Sequence, residues 1–407
     1  MTDAAALVAG LDLDAQRWFA GRGRDEAGRR VVDRWAVGPG WLIAFEVAYA
    51  DGAPDLYVLP AIDDGGLREA GPGDGVFAAL AGGGEERPLG VDQTHTSVVV
   101  DDRVVKLYRR VERGPNPEVE LLEALAAAGF DGVPALRGSA HRTLPDGGEL
   151  GVAIVQDLVV GAPDGWESLI APLERLIDGD GELDGLAPEL RRCGLLVGRL
   201  HVALAAAFGV RPATEAEREG WRDAARARLD EALRILPHPL AAELHGDATR
   251  IRVDLEGLAD GPAPPVTRIH GDLHIAQLLR TPGSVYAVDF EGDPVLALAE
   301  RRAPQSPLHD VACLVRSLDH VARSAQVRAG LGEAVMDAWI GLAQSAVLDG
   351  YREGIAGSRL ELDLALLRRL CLAKELGEFV YAARVLPEWL YAPQLGMRWL
   401  MRDDAAL

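Results

Sequence analysis

The first part of the chain is built of short alternating or wholly apolar runs. VVDRWAVG and WLIAFEVAYA, the turn ADGAPD and then LYVLPAI predict strands, so the segment to about residue 88 reads as β-rich. Glycine and glutamate cluster in AGGGEERPLG, which predicts a boundary. SVVV, a tight Asp101-Asp102 turn and RVVKLY predict a hairpin. GPNPEVELLEALAAAGF predicts a helix, with proline near its start and apolar residues at helical spacing. ALRGSA and ELGVAIVQDL predict two further strands, and GAPDGW a break. From Trp166 onward the pattern turns helical, as in LRRCGLLVGRLHVALAAAF and EAEREGWRDAARARLDEALRIL. One short β-like stretch, VTRIHGDLHIAQLLRTPGSVYAVDFEGDP, interrupts it before helices resume. A β-rich part and a helical part joined near 156–160 predict an α+β chain of two lobes.

Composition narrows the partners. The 407 residues are 48% hydrophobic and 26% charged, enough for a full core and two or three domains. A formal net charge of −21 repels phosphate backbones and argues against nucleic acid. A polyanionic substrate must then meet a local basic or metal-containing site. Cys193, Cys313 and Cys371 are odd in number and widely spaced, which predicts neither a disulfide framework nor a zinc site. The opening MTDAAALVAGLDLDAQRW has no basic n-region, and no apolar run nears the ~20 residues of a membrane helix. The expectation is a cytoplasmic protein without a membrane partner. Of 42 basic residues only Lys106 and Lys374 are lysine, so each marks a place where a compact ammonium suits better than a guanidinium fork.

The chemistry concentrates in Ile269-His270-Gly271-Asp272-Leu273-His274-Ile275-Ala276-Gln277, followed by Val288-Asp289-Phe290-Glu291. Phosphoryl transfer from ATP needs a carboxylate to orient the acceptor hydroxyl, oxygen ligands for magnesium, and a cation on the α- and β-phosphates. Asp272 on a loop supplies the first. Gln277, five residues on, offers an amide oxygen, and Asp289 at the end of an apolar strand offers a carboxylate, with Glu291 beside it. A second triplet, His245-Gly246-Asp247, has no amide five residues on and has Pro264 where Asp289 would match; it reads as a surface turn. Lys106, on the strand after the loop from Gln93 to Ser97, supplies the cation. Glu118 or Glu120 can hold it. Glu118 is preferred because Leu122 and Leu125 share its helix face. Hydroxyls of Thr96 and Ser97 and backbone N–H groups would cover the phosphates in place of a glycine-rich loop. No G-x-x-x-x-G-K-[ST] is present, which excludes a P-loop kinase.

With these residues the chain resembles the aminoglycoside-phosphotransferase-like kinases, and among them the maltokinases and related actinobacterial glucosamine kinases. The resemblance spans nearly the whole chain. Arg17-Trp18-Phe19-Ala20-Gly21-Arg22-Gly23-Arg24 looks like the opening of their N-terminal cap subdomain, and Thr96 through Glu118 is similar to their nucleotide lobe. Gln156-Asp157-Leu158 and Asp164-Gly165-Trp166 look like the hinge and the segment after it. HGDLHIAQLLRT, DFEGDP, Glu300-Arg301-Arg302 and Ser306 to Val311 look like the catalytic region. The resemblance implies a bilobal protein-kinase-like fold: a cap subdomain at 1–88, a nucleotide-binding subdomain and hinge at 89–160, and a helical lobe at 161–407. It implies Asp272 as base, Gln277 and Asp289 as magnesium ligands, Lys106 on ATP, and adenine near Gln156 to Leu158. Asp310 would brace the catalytic loop by accepting its N–H groups, as well as capping a helix, and His270 would support the loop. Gln277 stands where wider kinase families have asparagine.

For the acceptor, sugar pockets need carboxylates and amides for hydroxyls and an aromatic face. Glu378 and Trp389 lie in a stretch with both kinds, and Asp293 and His309 lie near the catalytic segments in sequence. An amino sugar adds an ammonium that Glu378 or Asp293 would meet. The expected acceptor is glucosamine, giving glucosamine 6-phosphate. Maltose, giving maltose 1-phosphate, and an aminoglycoside are the alternatives.

Overall fold

The computed structural model describes residues 2–90, 95–175 and 184–402. The chain forms two compact units, Met1–Ala127 with Pro134–Val160, and Ala128–Val133 with Gly161–Leu407. The sequence boundary at 88 falls inside the first unit.

The first unit holds α1 (Thr2–Ala9), β1 (Glu26–Val37), β2 (Gly40–Tyr49), β3 (Gly52–Asp63), β4 (Leu67–Glu69), α2 (Val76–Ala81), β5 (Glu86–Pro88), β6 (Thr96–Val100), β7 (Arg103–Leu107), β8 (Arg110–Val111), α3 (Pro117–Ala127), β9 (Leu136–Thr143) and β10 (Glu149–Asp157). Its strands make two antiparallel sheets, β1-β2-β3-β4 with β8 on β3, and β5-β6-β7-β10-β9. The glycine-rich stretch expected to be a boundary contains β5, where Glu86, Arg87 and Pro88 pair with Val100, Val99 and Val98. A three-residue strand has too little periodicity to be seen in sequence. The Trp18-Phe19 pair is core: both rings lie 5.6 Å from Tyr57, as does Phe45. Arg109, 1% exposed, ties β4 to β6 by donating to Glu69 (2.7 Å) and Thr96 (3.2 Å) under the ring of Trp18.

The second unit holds α4 (Glu167–Glu174), α5 (Ala187–Phe208), β11 (Arg211–Pro212), α6 (Glu215–Ile235), α7 (His238–Glu256), β12 (Pro265–Val266), β13 (Leu278–Arg280), β14 (Val285–Ala287), α8 (Leu298–Arg301), α9 (Leu308–Ala329), α10 (Glu333–Gly354), α11 (Leu364–Val385) and α12 (Tyr391–Leu400). The His245-Gly246-Asp247 triplet lies inside α7 and not on a turn. Leu244, Ala248, Ile251 and Leu255 bury one helical stripe there, and that packing outweighs the glycine. Every residue of α9 from Asp310 to Ala325 is buried, polar ones included. No described helix is long and apolar enough to cross a membrane.

The packing of α5 on α10 depends on four glycines. A Cβ on Gly194 would meet Val347 O at 1.9 Å and one on Gly350 would meet Arg191 O at 2.0 Å; Gly198 and Gly354 face each other at similarly forbidden range. Without Cβ atoms the two backbones touch, closer than ridges of side chains allow.

Candidate active site

In the second unit, the turn at 270–277 is held from beneath. Asp310, in the first turn of α9, accepts from His270 N at 2.8 Å and Gly271 N at 2.9 Å. It is 1% exposed. Burial alone would raise its carboxyl, but the donors of His201 and the loop outweigh it and hold it below the ordinary carboxylate range. Gly271 has φ of +89°, and its Cα side closes against Gly292, so the loop needs glycine at this point. His270 Nε2 donates to Val288 O at 2.9 Å, which leaves Nδ1 facing Asp272 N at 3.4 Å. Ser317 of α9 accepts from Ile275 N at 2.9 Å. These contacts fix the backbone on both sides of Asp272.

The Asp272 side chain is 28% exposed, with His274 Nε2 at 3.9 Å and the Cys313 sulfur at 4.0 Å. Burial lowers the His274 imidazole against the pull of Asp272. Burial raises the Cys313 thiol, which is therefore no nucleophile. Gln277 Nε2 reaches Asp289 Oδ2 at 3.1 Å, and carboxylate oxygens of Asp289 and Glu291 come within 4.8 Å of each other. Asp289 sits at φ +67°, a strained region for a residue with a Cβ and one that recurs at functional sites. Gln277, just before β13, and Asp289 and Glu291, just after β14, thus offer a set of hard oxygen donors.

Lys374, on α11, completes this side of the site. The Cys313 sulfur, Glu378 and Asp272 together raise its ammonium above the ordinary value despite burial. It pairs with Glu378 at 2.9 Å. Burial would raise the Glu378 carboxyl, yet Lys374 brings it below its usual range. Desolvation raises Asp293, helped by the nearby Asp272 charge. Of the expected acceptor residues, Asp293 feels the Asp272 charge directly, and Glu378 pairs with Lys374, whose ammonium Asp272 helps to raise. The rings of His309 and Trp389 pack against other side chains. His309 packs edge-on against Trp221 of α6 at 5.1 Å, and burial pushes its imidazole down to about 4. Trp389 packs against His320 at 5.0 Å and Trp166 at 6.5 Å.

His320 belongs to a buried ionic cluster. Arg316 donates to Glu375 at 2.7 Å and Asp319 at 2.6 Å, and His320 Nε2 lies 3.1 Å from Glu375. Asp319, His320 and Glu375 have metal-ligand spacing, but the Arg316 guanidinium already serves as their cation.

In the first unit, Lys106 on β7 alternates with the buried Val105 and Leu107 and so projects from the other face. Its Nζ is 2.7 Å from Glu118 Oε2, which also accepts from Tyr108 OH at 2.8 Å. Glu118 is at the start of α3, which Asn116 caps by accepting from the N–H groups of Glu118 and Val119. The bond falls on Glu118; Glu120, two residues along the helix, is turned about 200° from it. Thr96 and Ser97 belong to β6 and not to a loop, and Thr96 Oγ1 is engaged by Arg109. Pairing with β7 extends the strand one residue earlier than the apolar run SVVV. Gln93 and Thr94 lie outside the described residues. The Gln156 amide donates to Pro134 O at 3.2 Å, and Leu158 N to Asp102 O at 2.8 Å.

The sequence reading gave no role to His274, Ser317, His201 or Tyr351. For Lys374 its rarity among 42 basic residues was the available signal.

The chain matches the model of the family described as "Phosphotransferase enzyme family" over residues 85–344. It is 36% identical over 385 residues to a glucosamine kinase of Streptacidiphilus jiangxiensis, covering 85% of this chain and 86% of that one. It is 33% identical over 385 residues to a glucosamine kinase of Mycolicibacterium smegmatis (strain ATCC 700084 / mc(2)155), covering 87% of this chain and 95% of that one. A solved glucosamine kinase in complex with glucosamine, ADP and inorganic phosphate superposes with a TM-score of 0.79 at 30% identity, covering 98% of this chain and 99% of that one.

Proposed function

The chain belongs to the phosphotransferase enzyme family, and on that premise we propose that it is an ATP-dependent glucosamine kinase, moving the γ-phosphoryl group of ATP to the 6-hydroxyl of glucosamine. The observation that carries the reading is the Asp310-held turn that sets Asp272 beside the Lys374–Glu378 pair, in a chain similar over most of its length to glucosamine kinases.

Asp272 takes the proton of the acceptor hydroxyl as its oxygen bonds to phosphorus, and the bond from phosphorus to the β-phosphate oxygen breaks to release ADP. Lys106, held by Glu118 and Tyr108, supplies the point charge for the α- and β-phosphates. Gln277, Asp289 and Glu291 fit magnesium, because they offer hard oxygens and no thiolate or imidazole. When bound, magnesium neutralises charge on the transferring phosphoryl group. Asp293 and Glu378 supply carboxylates for the sugar hydroxyls and the ammonium, and Trp389 and His309 border the acceptor side. Residues 1–88 serve as a cap subdomain of the nucleotide-binding part. A cytoplasmic location, where ATP is made and used, goes with this activity.

Steady-state rates with glucosamine, glucose and maltose at saturating ATP test it, with Asp272→Asn as control. Glucosamine is expected to give the highest kcat/KM, and Asp272→Asn to lose about 10²–10⁴-fold in kcat while still binding ATP. Equal or better efficiency on maltose, or near-normal turnover by Asp272→Asn, rejects the reading.

A further inference from the structure

We infer that Gly165 is a positioning residue for the metal ligand Gln277: the turn that carries the amide is seated on this glycine, and Asp164, Ser168 and Arg280 lock the seat in place. Gly165 is buried, two residues before α4. Its φ lies outside the left-handed region, so its backbone conformation does not call for glycine. Space does. A Cβ at this position would stand 1.7 Å from Ile275 O and 3.0 Å from Leu278 O. Both are backbone atoms, and no side-chain rotation relieves the overlap.

Those two carbonyls bracket Gln277. Residues Ile275–Gln277 form a single 3-10 turn, closed by Leu278 N donating to Ile275 O. Gln277 N donates to His274 O at 2.9 Å, and Gln277 O accepts from Val288 N at 3.0 Å. Leu278 then pairs with Ala287 as β13 begins. These bonds tie the turn to the segment that leads into Asp289. Gly165 sets how far the carbonyls on either side of the amide can move.

The seat is itself braced. Asp164 Oδ1 accepts from Trp166 N at 2.8 Å and Glu167 N at 2.9 Å, which caps the first turn of α4. Ser168 Oγ donates to Gly165 O at 3.0 Å and accepts from Arg280 Nε at 3.1 Å. Arg280 is the last residue of β13, is 5% exposed, and pairs with Glu189 of α5 at 3.0 Å. The start of α4 therefore meets β13 at both ends, through the Leu278 carbonyl and through the Arg280 guanidinium. Two points fix the direction of a strand as well as its place. Gln277 immediately precedes the first of them, so its side chain leaves the backbone from a fixed origin beside Asp289.

The inference rests on Gln277 as a magnesium ligand. Partners that orient a metal's ligands typically cost about 10–100-fold in metal affinity when lost. Manganese is the probe, because it takes the same oxygen donors and its free ion is counted by electron paramagnetic resonance. With the full chain saturated with ADP, Gly165→Ala is expected to weaken manganese binding about 10-fold or more. The free magnesium that gives half-maximal kcat should rise by a similar factor, with KM for glucosamine changed less than about twofold. Ser168→Ala loosens the brace without filling the space and is expected to fall between wild type and Gly165→Ala. In a Gln277→Ala background, itself weak in manganese, neither substitution should weaken binding further, because both act through that amide. Thermal unfolding measured alongside identifies any variant that fails to fold. If Gly165→Ala does not fold, Ser168→Ala decides, alone and combined with Gln277→Ala. Wild-type manganese affinity in the deciding variant overturns the inference, and so does a loss that persists undiminished on top of Gln277→Ala. Either result leaves Gln277 as a ligand. A Gln277→Ala chain with wild-type affinity overturns the ligand assignment and the inference together.

Discussion

Glu118 accepts from both Lys106 and Tyr108 while only 1% of its side chain is exposed, so its charge has no water to turn to when a partner is lost. Breaking a buried pair from one side typically costs about 3–5 kcal/mol, because the remaining charge is left uncompensated. Lys106→Met is therefore expected to lower stability by about this amount in urea unfolding. Adding Glu118→Gln should restore most of the stability and none of the ATP turnover. A double variant that regains activity would show that the ammonium is not used on the nucleotide. Lys106→Arg should behave like Lys106→Met in turnover, since a planar fork does not replace a compact ammonium between Glu118 and Tyr108. At the same scale, the rarity of lysine was the sequence's clearest hint: Lys106 stands against the buried Glu118 and Lys374 against the partly buried Glu378.

On α10, two glycines have opposite consequences. A Cβ at Gly341 would meet nothing within 4 Å, whereas one at Gly350 would meet the backbone of α5 at 2.0 Å. Gly341→Ala removes unfolded-chain freedom and is expected to add about 0.4–1 kcal/mol. Gly350→Ala forces the helices apart and is expected to cost about 1–3 kcal/mol or more. The pair is read by thermal unfolding of the two variants; a neutral Gly350→Ala would contradict the backbone contact. Strands and helices at this scale were largely visible in hydrophobic periodicity. Those missed were short or locally disguised: β5 in a glycine-rich stretch, and the helical turn hidden at His245-Gly246-Asp247. Each is stabilised by a neighbour distant in sequence, and periodicity carries no information about neighbours.

For the whole molecule, the net charge of −21 opposes the approach of an anionic nucleotide. Salt screens this repulsion over a Debye length of about 10 Å at 0.1 M. The value of kcat/KM for ATP is therefore expected to rise between very low ionic strength and about 0.1 M at fixed free magnesium. A steady fall over that range would mean that local cations, not the overall field, govern encounter. The acidic surface, the α+β order of elements and the constellation Asp272, Gln277 and Asp289 were all legible along the chain, because they depend on composition, on local period and on spacing within one short segment. The choice of Glu118 over Glu120 needed only helix geometry to be favoured, and the fold placed the bond. What only the tertiary structure decided was which distant groups meet: Asp310 with His201 and Tyr351 beneath the 270–277 turn, and the Lys374–Glu378 pair of α11 with Cys313 and Asp272. These residues come from helices separated by up to some 150 positions. Their association follows from glycine-to-backbone packing and burial, which sequence spacing does not encode.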